Sequence, residues 1–248
     1  MRCVEFGKEN REVVLLLHGG GLGWWNYRAA AELLQGEYHV VLPLLPGHAG
    51  SDIPFTAMAD AAGALIEYVD RTFGGQVLLM GGLSLGAQIL AEALSRRGDL
   101  CRYALIESTA AIPDPLTKAL IRPAFGMSYG LVRRRWFARM QFRYLKIPPE
   151  LFEDYYRDTC AIEKGDMIRF LEESSGYSAK EGLRRVQAKV RIVVGGKELR
   201  RMRRSGEKLA ALIPGAKLTV LPGLAHGEFS LKHPAEYAAM VRQLTDRP

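Results

Sequence analysis

Gln76-Val77-Leu78-Leu79-Met80-Gly81-Gly82-Leu83-Ser84-Leu85-Gly86 is a nearly unbroken apolar run that ends on a serine bracketed by glycines. Residues Gln76 to Met80 have the Val/Leu-rich character of a strand buried on both faces, and Leu85 to Arg97 recur apolar at helical spacing. The G-x-S-x-G pattern of Gly82 to Gly86 therefore falls on a strand-turn-helix junction. A serine on so sharp a turn occupies a sparsely populated backbone conformation that costs about 1 to 3 kcal/mol. Glycines on either side remove the Cβ clashes that would forbid it. The hydroxyl then projects above the sheet at a helix start, where the Leu85 amide is uncommitted and the helix dipole favours negative charge. The plainer alternative is that Ser84 is an N-cap between tight-turn glycines.

Working outward, short runs rich in Val, Leu and Ile alternate with segments of helical period, the pattern of a mostly parallel twisted sheet with helices on both faces. Strands are expected at Cys3 to Phe6, Val13 to Leu17, Tyr38 to Leu42, Gln76 to Met80, Arg102 to Ile106, Val190 to Val194 and Lys217 to Leu221. Helices are expected at Tyr27 to Leu34, Met58 to Phe73, Leu85 to Arg97, Met202 to Leu212 and Pro234 to Leu244. Residues 112–186 break the alternation: helical stretches there are punctuated by Pro113, Pro115, Pro123, Pro148 and Pro149. The chain thus divides into a core, 1–111 with 187–248, and an inserted helical cap, 112–186. Eleven of the 22 aromatic residues lie in that insertion. Most of them are read as packing, and the region as the wall of an apolar pocket.

Composition narrows the class. Of 248 residues, 48% are hydrophobic and 25% charged, which excludes a disordered or fibrous chain, and 26 glycines exceed the roughly 7% background. Cys3, Cys101 and Cys160 are odd in number and widely spaced, which supports neither a disulfide framework nor a zinc ribbon and suits a reducing, cytoplasmic setting. The first residues, with Arg2, Glu5, Lys8, Glu9, Arg11 and Glu12, read as neither a signal peptide nor a membrane span. The net charge of +7 gathers partly in Arg133-Arg134-Arg135 and in Arg200, Arg201, Arg203 and Arg204, which read as solvated helical faces rather than nucleic-acid contacts. In 112–186, 14 Lys and Arg stand against 10 Asp and Glu, a net +4 that hints at an anionic group on the ligand.

His18-Gly19-Gly20-Gly21 follows the strand Val13 to Leu17, and its glycines let backbone amides approach a bound group closely. If Ser84 attacks a carbonyl, the developing oxyanion needs two prepositioned amides, each worth about 3 kcal/mol; Leu85 and either Gly20 or Gly21 are the expected donors. A dinucleotide reading is weak, because Asn26 stands where the third glycine of G-x-G-x-x-G belongs. A serine also needs a base and a carboxylate to orient it. Among five histidines, His226 alone follows the last strand at its carboxyl end, where open α/β sheets place their sites. Glu198 ends the penultimate strand, and its neighbours Lys197 and Arg200 would favour its charged form. Glu107 and Asp114, just past Arg102 to Ile106, could reach the same edge and remain alternatives. Glu228 reads as a first-turn helix acid.

Taken together, His18-Gly-Gly-Gly, Pro46-Gly47-His48-Ala49-Gly50-Ser51, Gly82-Leu-Ser-Leu-Gly86, Gly195-Gly-Lys-Glu198 and Ala225-His226-Gly227 resemble the α/β-hydrolase superfamily over nearly the whole chain. The resemblance is to small bacterial cytoplasmic members with a helical cap. It implies an α/β-hydrolase fold with Ser84 as nucleophile, Glu198 as acid and His226 as base. The implied reaction is hydrolysis of an ester or related acyl bond of a small, partly apolar molecule through an acyl-enzyme, with no cofactor or metal and with neither nucleic acid nor membrane as partner. The same site would also serve an acyltransferase, a C–C hydrolase, a lyase or a perhydrolase, and a non-catalytic binder shares the scaffold. Leu44 and Ala49 depart from the family's Asp and Gly around the Pro-Gly-His loop, and Glu replaces the commoner Asp as acid. With about ten residues before Val13, the sheet is expected to lack one edge strand.

Overall fold

The computed structural model describes residues 1–245. Seven strands form one sheet: β1 (Cys3–Phe6), β2 (Val13–Leu17), β3 (His39–Pro43), β4 (Val77–Leu83), β5 (Cys101–Glu107), β6 (Lys189–Gly195) and β7 (Lys217–Leu221). Their spatial order is β1-β3-β2-β4-β5-β6-β7. All neighbours are parallel except β1, which runs antiparallel to β3 with Cys3 opposite Pro43 and Phe6 opposite Val40. The order reverses direction between β2 and β4, so the loops leaving their carboxyl ends diverge to opposite faces and open a crevice, the usual ligand position in such sheets. His18 follows β2 and Ser84 follows β4, which puts both at that crevice.

Strand β4 outruns its expected end at Met80, since Gly81 and Gly82 still pair with Leu105 and Ile106 of β5. Strand β3 begins one residue late because the Tyr38 amide still donates to Leu34 O at 3.0 Å, closing the preceding helix. That helix, α1 (Arg28–Leu34), is entered through a 3-10 turn at Trp24–Tyr27. On one face of the sheet α2 (Met58–Phe73), α3 (Leu85–Arg96) and α8 (Arg200–Leu212) cover a core containing Leu15, Leu65, Leu90 and Leu209. The other face packs Leu16, Trp25, Leu34 and Leu79 beneath α1, α9 (Glu228–Lys232) and α10 (Pro234–Leu244). Burial on both faces explains why the inner strands read as continuous apolar runs rather than alternating ones.

Between β5 and β6 lie α4 (Pro115–Val132), α5 (Arg135–Tyr144), α6 (Phe152–Ala161) and α7 (Lys164–Gly176). Asp114 caps α4 by accepting from Thr117 N at 3.0 Å. Pro123 sits inside α4 rather than ending it; the residue is on the exposed side, where a carbonyl freed by the missing N–H turns to water. Acids of these helices accept main-chain amides of the sheet's loops: Asp166 takes Phe55 N at 3.2 Å and Glu173 takes Met58 N at 3.0 Å. Asp158 of α6, itself buried, accepts from Trp25 Nε1 at 2.8 Å. Among the described residues no helix is long and apolar enough to cross a membrane.

Candidate active site

Ser84 lies between β4 and α3 at φ 52° and ψ −110°, a conformation side chains avoid. Its amide donates to Glu107 O at 2.9 Å, and its carbonyl accepts from Gln88 N at 2.9 Å. The turn is tight enough to demand glycine on both sides. A Cβ on Gly82 would meet Ala87 N at 2.7 Å, and one on Gly86 would meet Leu17 O at 2.3 Å.

His226, in the loop after β7, places Nε2 3.1 Å from Ser84 Oγ and Nδ1 2.8 Å from Glu198 Oε2. An ionised carboxylate only accepts, so Nδ1 carries the proton and Nε2 faces the serine hydroxyl as acceptor. The Glu198 side chain is 1% exposed. Its other oxygen accepts from Ser108 Oγ at 2.8 Å and Gly195 N at 2.6 Å. Burial pushes this carboxyl up, yet the bonds from His226, Gly195 and Ser108 outweigh it and hold it below the usual carboxylate range. The charged form is thus favoured by these three groups, while Lys197 and Arg200, named from sequence, are exposed.

Ser108 was not singled out by sequence reasoning. It stands just past β5 at φ 51° and also accepts from Gly227 N at 3.3 Å, so one hydroxyl ties the acid to the loop of the imidazole. Nothing local in Glu107-Ser108-Thr109 announces this. The two alternative acids have other hydrogen-bond partners. Glu107 is buried and accepts from Ser230 N at 3.1 Å; burial pushes its carboxyl up to about 7, against the bonds from Ser230. Asp114 is occupied at the start of α4 and by Arg201. Glu228 closes its own turn, accepting from Ala225 N at 2.6 Å and pairing with Lys232 at 2.8 Å.

The glycine loop after β2 is fixed by two buried imidazoles. His48 accepts from Gly21 N on Nε2 at 3.0 Å and donates through Nδ1 to Pro46 O at 3.0 Å. Its ring stacks on Phe170 of α7 with centroids 4.7 Å apart. His18 accepts from Leu45 N at 3.2 Å and donates to Gly19 O at 2.9 Å. Burial lowers His18 to about 3, aided by His48, and lowers His48 to about 4, so both are neutral near pH 7. The Gly21 amide is committed to His48 and the Gly19 amide to Asn26 Oδ1 at 3.1 Å. Gly20 lies against Leu85: a Cβ there would be 3.3 Å from that of Leu85. The sequence signal for His48 was its Pro-Gly-His loop, which gave no hint of a bond to a glycine 27 residues earlier.

A cavity of about 180 Å³ opens over this constellation, lined by Gly19, Gly20, Ser84 and His226 with Leu22, Leu83, Leu145, Ile147 and Leu231. Its walls are aliphatic. Several aromatics of 112–186 pack on one another instead, as with Phe142 against Phe152 at 5.2 Å and Tyr155 at 5.4 Å, because rings fill a thin helical layer efficiently. Among the described residues no group of three or more His, Cys, Asp and Glu side chains is placed to hold a metal ion.

The profile of the Alpha/beta hydrolase family matches residues 14–240, from the second residue of β2 to the last turn of α10. The chain belongs to that family. It is 25% identical to the pimeloyl-[acyl-carrier protein] methyl ester esterase of Neisseria meningitidis serogroup B, with 94% of this chain and 92% of the relative covered. Among solved structures, the enol-lactonase of Burkholderia xenovorans LB400 superposes at a TM-score of 0.83 with 15% identity, covering 99% and 96% of the two chains. A thermophilic esterase of Thermogutta terrifontis gives 0.78 with 21% identity, covering 98% and 91%. At those identities the structures speak for the α/β-hydrolase fold alone.

Proposed function

We propose that this α/β hydrolase is a serine esterase acting on a small, partly apolar carboxylic ester, with Ser84 as nucleophile, His226 as general base and acid, and Glu198 as its orienting carboxylate. The observation that carries this reading is the continuous hydrogen-bonded line from Glu198 through His226 to Ser84, at 2.8 and 3.1 Å. Ser84 Oγ attacks the ester carbon while Nε2 takes its proton, and Glu198 stabilises the imidazolium that results. The charge that develops on the carbonyl oxygen is met by the amides of Gly20 and Leu85. Nε2 then protonates the departing alkoxide, leaving an acyl-serine. Water, deprotonated by the same nitrogen, attacks that acyl group; the acid leaves and Ser84 recovers its proton.

Residues 112–186 serve in this reading as a cap, with Leu145 and Ile147 reaching the cavity at Ser84. The ester class is supported by the Neisseria relative, which is a methyl ester esterase. The test is turnover of p-nitrophenyl butyrate together with labelling by a fluorophosphonate. The wild-type chain should do both. Ser84→Ala should lose labelling and drop kcat by about a millionfold, as when the nucleophile of a triad is removed. Undiminished turnover in Ser84→Ala, or a wild-type chain inert to both reagents, would sink the proposal.

A further inference from the structure

The cavity at Ser84, about 180 Å³, is small for a ligand site. That is below the roughly 300 to 1,000 Å³ of pockets that enclose a drug-sized ligand, so only part of an extended ester fits over Ser84. Beside it lies a groove of about 580 Å³, within the range that holds whole small ligands. The two share one wall. Leu231 of α9 lines both, and the chain from 145 to 151 runs along both, giving Leu145 and Ile147 to the smaller space and Pro148, Pro149 and Leu151 to the larger. Leu231 is half-buried, and its Cδ1 lies 3.6 Å from where a Cβ of Gly227 would stand, beside His226.

We infer that the larger groove receives the uncharged apolar arm of an ester whose carbonyl lies at Ser84, and that Leu231 is the partition setting how long an arm is accepted. The inference rests on the esterase reading above. Adjacency to the Ser84 cavity across Leu231 gives the groove its occupant, and its lining gives the arm its class. Trp25, Leu151, Leu231 and the prolines Pro148, Pro149 and Pro234 are apolar. Its charged groups are two cations, Arg28 and Lys232, and two carboxylates, Glu32 and Glu150. Both cations are already engaged, Arg28 with Asp154 at 3.0 Å and Lys232 with Glu228 at 2.8 Å. An anionic arm, as the +4 of residues 112–186 suggested, would meet no net positive charge there. The surplus charge instead includes Arg133, Arg134 and Arg139, which stand exposed around the start of α5.

The experiment compares kcat/KM across two series on the full chain: p-nitrophenyl esters from acetate to decanoate, and acetate esters of alcohols from ethanol to decanol. The variants are Leu231→Ala, which opens the partition, and Ala29→Trp, which fills the groove from α1 on its far side. Each methylene newly buried is worth about fourfold in binding. Leu231→Ala should therefore raise the long-to-short ratio at least tenfold in one series, and the responding series tells whether the acyl or the alcohol arm enters. Ala29→Trp should lower the same ratio. A ratio that ignores Leu231→Ala in both series, or that ignores Ala29→Trp, overturns the groove's role while leaving the esterase standing. Absence of any ester turnover by the wild-type chain removes both proposals together.

Discussion

Replacing Ser108 by alanine tests whether the acid of the site is held by the hydroxyl that sequence reading missed. Ser108 Oγ donates to Glu198 at 2.8 Å and accepts from Gly227 N at 3.3 Å, so the change deletes one of three hydrogen bonds to the carboxylate and leaves a buried amide of the His226 loop unpaired. A hydrogen bond to a charged group is worth about 1.5 to 3 kcal/mol. Most of that is present in ground and transition states alike and cancels from the barrier. What does not cancel is orientation: Oε2 must stay 2.8 Å from Nδ1 with one fewer anchor. We expect kcat/KM for p-nitrophenyl butyrate to fall about 10- to 100-fold, against about 10⁴-fold for Glu198→Gln, where the imidazole would lose its orienting charge. Because Ser108 acts through Glu198, the double variant should be scarcely worse than Glu198→Gln alone. Wild-type kcat/KM in Ser108→Ala, or a double variant whose losses simply multiply, would refute the reasoning.

Two further perturbations follow from buried groups. The Glu107 carboxyl is pushed by burial up to about 7 from an ordinary value near 4.5, so the native state holds its proton where the unfolded chain releases it. Its contribution to stability is complete below about pH 4.5, declines as pH rises through 7 and is gone above, on the order of 3 kcal/mol in all; Glu107→Gln should abolish that decline, and equal slopes of Tm between pH 5 and 8 in both proteins would count against it. His48→Ala removes the acceptor of Gly21 N and the ring stacked on Phe170. Its kcat should fall about tenfold through a loosened Gly20 amide, with partial rescue by His48→Gln, and a change in KM alone would argue that the loop needs no such support.

The readable part of this molecule is the part whose signal is local. Five residues, Gly82 to Gly86, fix the turn at Ser84, because glycine alone tolerates Ala87 N and Leu17 O where a Cβ would be. Parallel strands buried on both faces announce themselves as apolar runs, and their order along the chain brings His226 and Glu198 to the edge where Ser84 waits. The unread part depends on distance. Ser108 meets a carboxylate 90 residues away, and its positive φ is not a preference of serine that the sequence could announce. Chain order favoured Glu198 over Glu107 and Asp114, but the different burial and partners of the three carboxylates were not legible in the sequence. Strand β4 ran past its expected end because a glycine pair that breaks an isolated strand keeps its hydrogen bonds when flanked on both sides by β2 and β5.

Two serines with positive φ flank one hydrogen-bonded line: Ser84 meets the His226 imidazole, and Ser108 meets the carboxylate that holds it. Each costs about 1 to 3 kcal/mol, a sizeable share of the roughly 5 to 15 kcal/mol that separates a folded domain from its unfolded chain. Such strain persists only where the surroundings over-determine it, and here they are main-chain groups of the sheet: Glu107 O on Ser84 N, Val193 O on Ser108 N, Gly195 N on Glu198. The stretch between β5 and β6 brings Leu145 and Ile147, from the loop after α5, to the same cavity. The consequence is a division of labour. Substitutions along 145–151 can reshape what fits without loosening the three groups, whereas small changes among the strand-end residues disturb the hydrogen bonds that keep a strained Ser84 in place.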